Sequence, residues 1–175
     1  MHVISAKEFG ALFGTFDREA FRLETLDDYS GSTSAEKMRA YHAGEPKPED
    51  YNAPWLETIR RNTIAGRRMY RVHVLARPLT DYLRYELEWG YFTNQTAGEE
   101  FFILDVTERS NPLAGVPDFW MFDHSSVVSM TYDAAGGFIS GEREPDAGKW
   151  IEWRDLALSH AEPFTSWWKQ HGTER

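Results

Sequence analysis

The string Asp81-Tyr82-Leu83-Arg84-Tyr85-Glu86 sets a carboxylate among apolar side chains. Leu79, Tyr82, Leu83, Glu86 and Leu87 stand at offsets 0, 3, 4, 7 and 8, which is one face of a helix. A carboxylate on such a face must be paired or protonated, because an isolated buried charge is very costly. Arg71, on the preceding strand, is its expected partner. Arg84 is two residues from Glu86 and points elsewhere on a helix, toward solvent, ligand or protein. One reading is a structural ion pair, whose loss in Glu86→Ala would cost about 3–5 kcal/mol. The other is a polar cluster lining a pocket, with Glu86 as a base whose pKa burial shifts. In that second reading Arg71, Tyr82, Arg84, Tyr85, Glu86 and Trp120 are the ligand-binding residues, and Glu86 and Asp118 are the candidate catalytic carboxylates.

Other residues carry weaker chemistry. The run Asp118-Phe119-Trp120-Met121-Phe122-Asp123 alternates as a strand does, with large groups on both faces. Such a strand is either covered twice or offers an aromatic floor to a ligand. Arg60, Arg61, Arg67, Arg68, Arg71 and Arg77 follow one another with no acidic residue between them. They read as a solvated helix end or as an anion patch, centred on Arg60, Arg61, Arg67 and Arg68, for a phosphate, an acidic partner or a nucleic acid. The histidines, His2, His42, His73, His124, His160 and His171, form no metal-binding spacing, so no metal and no cofactor are expected. His124-Ser125 resembles a base beside a nucleophile, but adjacent strand residues face opposite ways, and a turn is the better reading. No phosphate-binding glycine loop or nucleophile elbow is present. Trp167 and Trp168 are either a docking surface or a tail packed on the core.

Composition narrows the function classes. The chain has 175 residues, 19 basic and 28 acidic, for a net charge of −9. That balance disfavours non-specific nucleic-acid binding, since phosphate repels it. With no cysteine, thiol catalysis, iron–sulfur clusters and disulfides drop out. The length suits one domain, 1–175. No signal peptide and no membrane span is legible, and the expected location is the cytoplasm. Oligomeric state is not legible.

The elements that must position these residues follow from pattern. Ser5 and Glu8 predict a capped helix to Phe13, and Thr33 with Glu36 a second helix to Ala43, stopped by Gly44. Ala20 to Leu26 alternates as a half-buried strand. A helix from Pro54 to Ala65 precedes a strand from Met69 to Ala76, with Val72, Val74 and Ala76 on one face and Arg71, His73 and Leu75 on the other. Thr80 caps a helix to about Trp89. Phe101 to Val106 reads as a strand buried on both faces. Asp118 to Asp123 and Val127 to Tyr132 form an antiparallel pair. A short strand follows at Phe138 to Ser140, then a helix from Lys149 to His160 and a last one with Trp167 and Trp168. The fold class is α/β or α+β: a central mixed sheet of five to seven strands, helices packed around it and a C-terminal helical tail.

Several strings also resemble a known family: Phe21-Arg22-Leu23-Glu24-Thr25-Leu26, Arg77 to Glu86, Ala97-Gly98-Glu99, and Asp118 to Asp123 followed by Met130-Thr131-Tyr132-Asp133. They resemble the actinobacterial domain-of-unknown-function family 6879 over nearly the whole chain. The resemblance implies no assigned activity and a role beside small helix-turn-helix regulators. The order of elements is also similar to half of a phospholipase D-type domain. The signature H-x-K followed by Asp is missing, with Ser126 where the lysine belongs, so phosphodiester cleavage through His124 is not expected. The first functional expectation is a non-catalytic regulatory or interaction protein, binding a partner protein or a small anionic ligand. The alternative is an enzyme of unfamiliar type, in specialised biosynthesis, with its pocket around Arg71, Tyr82, Glu86 and Trp120.

Overall fold

The computed structural model describes residues 2–174. Its strands are β1 (His2–Ile4), β2 (Glu19–Glu24), β3 (Arg68–Leu75), β4 (Glu100–Asp105), β5 (Phe119–Phe122), β6 (Ser126–Tyr132), β7 (Phe138–Arg143) and β8 (Glu162–Pro163). They form one mixed sheet of eight strands in the order β1-β7-β6-β5-β2-β3-β4-β8. β2, β3 and β4 are parallel, and the remaining pairs are antiparallel. The two strands that the sequence pattern does not predict are β1 and β8, of three and two residues. Segments that short carry no alternation that a sequence pattern can reveal.

The helices are α1 (Ala6–Thr15), α2 (Ala35–His42), α3 (Ala53–Ile64), α4 (Asp81–Tyr85), α5 (Phe92–Ala97), α6 (Gly148–His160) and α7 (Phe164–His171). Ser5 and Glu8 make the expected reciprocal cap of α1. At α2 the cap is Ser34, not Thr33. Its side chain accepts from the Lys37 N–H, while Thr33 Oγ1 donates back to the Tyr29 carbonyl. Thr80 caps α4 as its sequence predicts. The helix does not stop near Trp89. A π-helical turn, Glu86–Tyr91, joins α4 to α5. Such turns widen a helix and recur at functional sites.

Strand alternation gives the sheet two different faces. Phe21, Leu23, Tyr70, Val72, Phe119 and Met121 make one face apolar, and Trp150 and Ala157 of α6 cover it. The opposite face begins with Ala20, Met69, Phe122 and Trp120, packed with α1 and α3. It ends with Ile103 and Phe101 beneath the α4–α5 segment. Between these apolar ends lies a polar band. Arg22 pairs in register with Arg71 and with Trp120, and Glu24 with His73. Trp167 is buried in the apolar cluster beneath α7, and its indole donates to Asp105 at 2.9 Å, so it is part of the core.

Candidate functional site

The polar band is built from two arginines side by side, a like-charge pair that only surrounding carboxylates make tolerable. Arg71, 7% exposed, commits every guanidinium nitrogen. Nη1 donates to Glu24 Oε1 at 2.9 Å and Nε to Glu99 Oε1 at 2.8 Å, while Nη2 also contacts Glu99 Oε1. Glu99 Oε2 accepts from the Trp55 indole at 3.1 Å and from Asn94 Nδ2 at 3.2 Å. Arg22 Nη2 donates to Tyr132 Oη at 2.8 Å and lies 3.7 Å from Asp118 and 4.0 Å from Glu24. Burial pushes the Glu24 carboxyl up, but the charges of Arg22, Arg71 and His73 outweigh it and hold the group well below the usual carboxylate range.

Two further chains of bonds fix this band. Asp118 accepts from Tyr29 Oη at 2.5 Å and from the Thr25 N–H and hydroxyl at 2.9 and 2.6 Å. His73 Nε2 meets the Leu26 carbonyl at 2.8 Å and Nδ1 meets Tyr91 Oη at 2.9 Å; Tyr91 in turn donates to Glu24 at 3.0 Å. A carbonyl can only accept, so the Nε2 proton is fixed.

The band opens into a cavity of about 470 Å³, walled by β2, β3, α2, α3 and the π turn. Arg22, Glu24 and Arg71 reach it from the sheet, and Tyr82, Tyr85 and Glu86 from the helix. Tyr29, Tyr51, Trp55 and Tyr132 supply aromatic walls. Asn52, in the left-handed region at φ 57°, also faces it and donates to Asn94 Oδ1 at 3.3 Å. Asparagine tolerates that conformation better than most residues.

Glu86 is half-buried on the wall, and Tyr82 Oη donates to it at 3.2 Å. A Cβ on Gly90 would stand 2.9 Å from the Glu86 carboxylate, so the glycine leaves it room one turn on. Glu86 forms no ion pair with Arg71 or Arg84. Arg71 is already saturated by Glu24 and Glu99, two carboxylates that helical periodicity could not bring together. Burial pushes the Glu86 carboxyl above its usual value, and the Glu24 charge adds to that, against Arg71 and the Tyr82 hydroxyl.

A stability consequence follows. A folded-state pKa raised above the unfolded one adds stability below the unfolded value, and that contribution is lost as pH rises through the folded value. Ionised Glu86 therefore burdens the fold at neutral pH. Glu86→Gln should leave stability unchanged or raise it by about 1 kcal/mol at pH 8, with the advantage disappearing near pH 4. Thermal melts of both proteins across that range check it. A loss of several kcal/mol at pH 8 would restore the ion-pair reading.

The other expected site residues divide. Tyr82 and Tyr85 share the cavity with Glu86 and Arg71. Trp120 lies under the arginines instead, with ring centroids 5.7 Å from Arg22 Cζ and 5.6 Å from Arg71 Cζ. Asp118 is behind Arg22 and reaches a second, neighbouring hollow. Arg84 is half-exposed and does not line the cavity. The arginine run is dispersed. Arg60 and Arg61 are exposed on α3, Arg67 donates to Asn62 at 3.2 Å, and Arg68 pairs with Glu100 at 2.8 Å. Arg77 is bound to Asp105 and Glu174 at the far end of β3. His124 occupies the β5–β6 turn at φ 56°, with Nε2 2.6 Å from Glu19 Oε1. Glu24, Glu99, Tyr29 and Asn94 were not expected in the site. Among the described residues, no group of three or more His, Asp or Glu side chains is placed to hold a metal ion, and no helix is long and apolar enough to cross a membrane.

The fold and site define a mixed α/β protein with a charge-paired inner sheet face opening into a ligand-sized cavity. The family model described as a domain of unknown function (DUF6879) matches residues 7–169, and the chain belongs to that family. No curated protein matches it.

Proposed function

We propose that this protein binds a small polar molecule in the cavity above Arg22, Glu24 and Arg71. The observation that carries the reading is Glu86. Arg71 and Glu24 beside it are paired with each other and with Glu99 and Tyr91, whereas its carboxylate meets a single tyrosine hydroxyl inside a concave, aromatic-walled space. Convergent polar groups with a perturbed carboxyl in such a pocket are the usual mark of a ligand site. A partner-protein surface is less supported. The large exposed apolar side chains, Val3, Ile64, Phe92, Phe138 and Ile139, are distributed over β1, α3, α5 and β7.

Trp55 offers a direct test, because its indole N–H is hydrogen-bonded to Glu99 at the cavity wall. Its resonance, assigned with Trp55→Phe, should move when the protein is screened against amines, amino acids, nucleosides and sugar phosphates. The same compounds should raise Tm by mass action. No compound class producing either effect would remove the reading.

One observation favours a second reading, an enzyme. Glu86 and the Tyr82 hydroxyl, 3.2 Å apart, make an acid–base pair open to a ligand. In that case a bound compound would be turned over, and Glu86→Gln would abolish turnover while binding persists.

A further inference from the structure

We infer that the ligand carries a primary ammonium group, seated between the Glu86 carboxylate and the tyrosine rings; this rests on the reading of the cavity as a ligand site. Charge pairing comes first. Glu24 and Glu99 both hold Arg71, and Asp118 stands against Arg22. Glu86 is the cavity carboxylate that forms no ion pair among the described residues, and Tyr82 is its hydrogen-bond donor. It accepts only, once ionised, so it calls for a donor, and a cation satisfies both its charge and its lone pairs.

Arg71 does not compete for the opposite choice. Arg71 has spent its nitrogens on carboxylates; Arg22 donates through Nη2 to Tyr132 and keeps a buried Nε without a partner, but Glu24 and Asp118 already stand beside its charge. An anion placed over them would meet Glu24 and Glu86 as well. The walls favour a cation independently. Ring faces of tyrosine and tryptophan attract ammonium groups, and the cavity already holds one such contact: Lys37 Nζ lies 5.2 Å from the Tyr51 ring centroid at its rim. Tyr29, Tyr82 and Tyr85 line the same cavity as Glu86.

The test uses the full chain and four probes at matched chloride: butylamine, butan-1-ol, butyrate and inorganic phosphate. A fragment of this size should bind on the order of millimolar. Butylamine should move the Trp55 indole resonance, and the other three should not. Glu86→Gln, checked for an unchanged fold by its melting curve, should weaken butylamine at least about tenfold. Preference for butyrate or phosphate, or equal butylamine binding by Glu86→Gln, overturns the amine inference. If compounds of the wider screen bind while butylamine does not, that inference falls and the ligand site stands. If nothing binds, both fall.

Discussion

Arg71→Ala is expected to cost about 3–5 kcal/mol, on the order of 10 °C in Tm for a chain of this length. The side chain is the hub of the inner sheet face, and its loss leaves Glu24 and Glu99 buried without their cation. It also removes a guanidinium packed over the Phe101 and Trp120 rings at 5.2 and 5.6 Å. The deficit should depend on pH with a definite sign. In the wild type Glu24 has a depressed pKa, so its contribution is present above the unfolded value and lost as pH falls through the folded one. Without Arg71 the Glu24 pKa rises, and the variant takes up a proton more readily than the wild type. The gap between them is therefore widest near neutrality and narrows on acidification. Arg71→Met with Glu99→Gln should recover part of the loss, since it removes a charge along with its partner. Urea unfolding at pH 7 and pH 5 measures all of this. A gap below about 1 kcal/mol at pH 7 would mean that water already reaches the band.

The second large effect is expected at Gly136→Ala, in the β6–β7 turn. Gly136 has φ +74°, and a Cβ there would stand 2.1 Å from the Asp28 carbonyl oxygen and 2.7 Å from Tyr29 Cα. Both are backbone atoms and cannot swing aside. The β6–β7 turn is tied to this loop by Gly31 N–H to Ala135 O at 2.9 Å and by Ser32 Oγ to Gly136 O at 2.7 Å. Separating them moves Tyr29, which holds Asp118 and receives the Thr25 and Leu26 N–H groups at 3.1 Å. Strain at positive φ and the forced displacement together should cost about 2–5 kcal/mol. Gly115→Ala is the matched control: φ is +80°, and nothing lies within 4 Å of the added Cβ. It should show the backbone strain alone, on the order of 1 kcal/mol. Equal losses in the two variants would show that the loop yields freely.

Much of the framework was legible because it rests on local rules. The Ser5 cap, the Thr80 cap and the alternation of β2, β3 and β5 follow from residues a few positions apart. Helical spacing correctly turned Glu86 inward. Its partner was not legible. The Glu24 and Glu99 pairing with Arg71 spans distances along the chain that no periodicity encodes. Glu24 was also hidden by the alternation that revealed its strand. A period of two says that a strand has two faces, not that both are covered, and here helices cover the face that looked solvated. The π turn adds its own blind spot, since it departs from the 3.6-residue repeat on which helix reading depends. Of the two readings left open for the tryptophans, Trp120 and Trp167 take the buried one, and Trp55, which no pattern singled out, lines the cavity with its indole donating to Glu99.

The sheet's two outermost strands bear on how this acidic protein behaves in crowded solution. Unpaired ladder at a sheet edge is a template on which another chain can add a strand, and long flat edges lead to fibres. Here β3, inside the sheet, has eight residues, while β1 and β8 have three and two. Pro163, half of β8, has no N–H to offer an incoming strand. An intruder at that edge meets too few donors to hold it. At the other edge β1 covers Gly141 to Arg143 of β7, shortening the run that a neighbour could copy. The protein can thus keep a wide sheet, and the charged band it supports, without the polymerisation that so many aligned strands would otherwise invite.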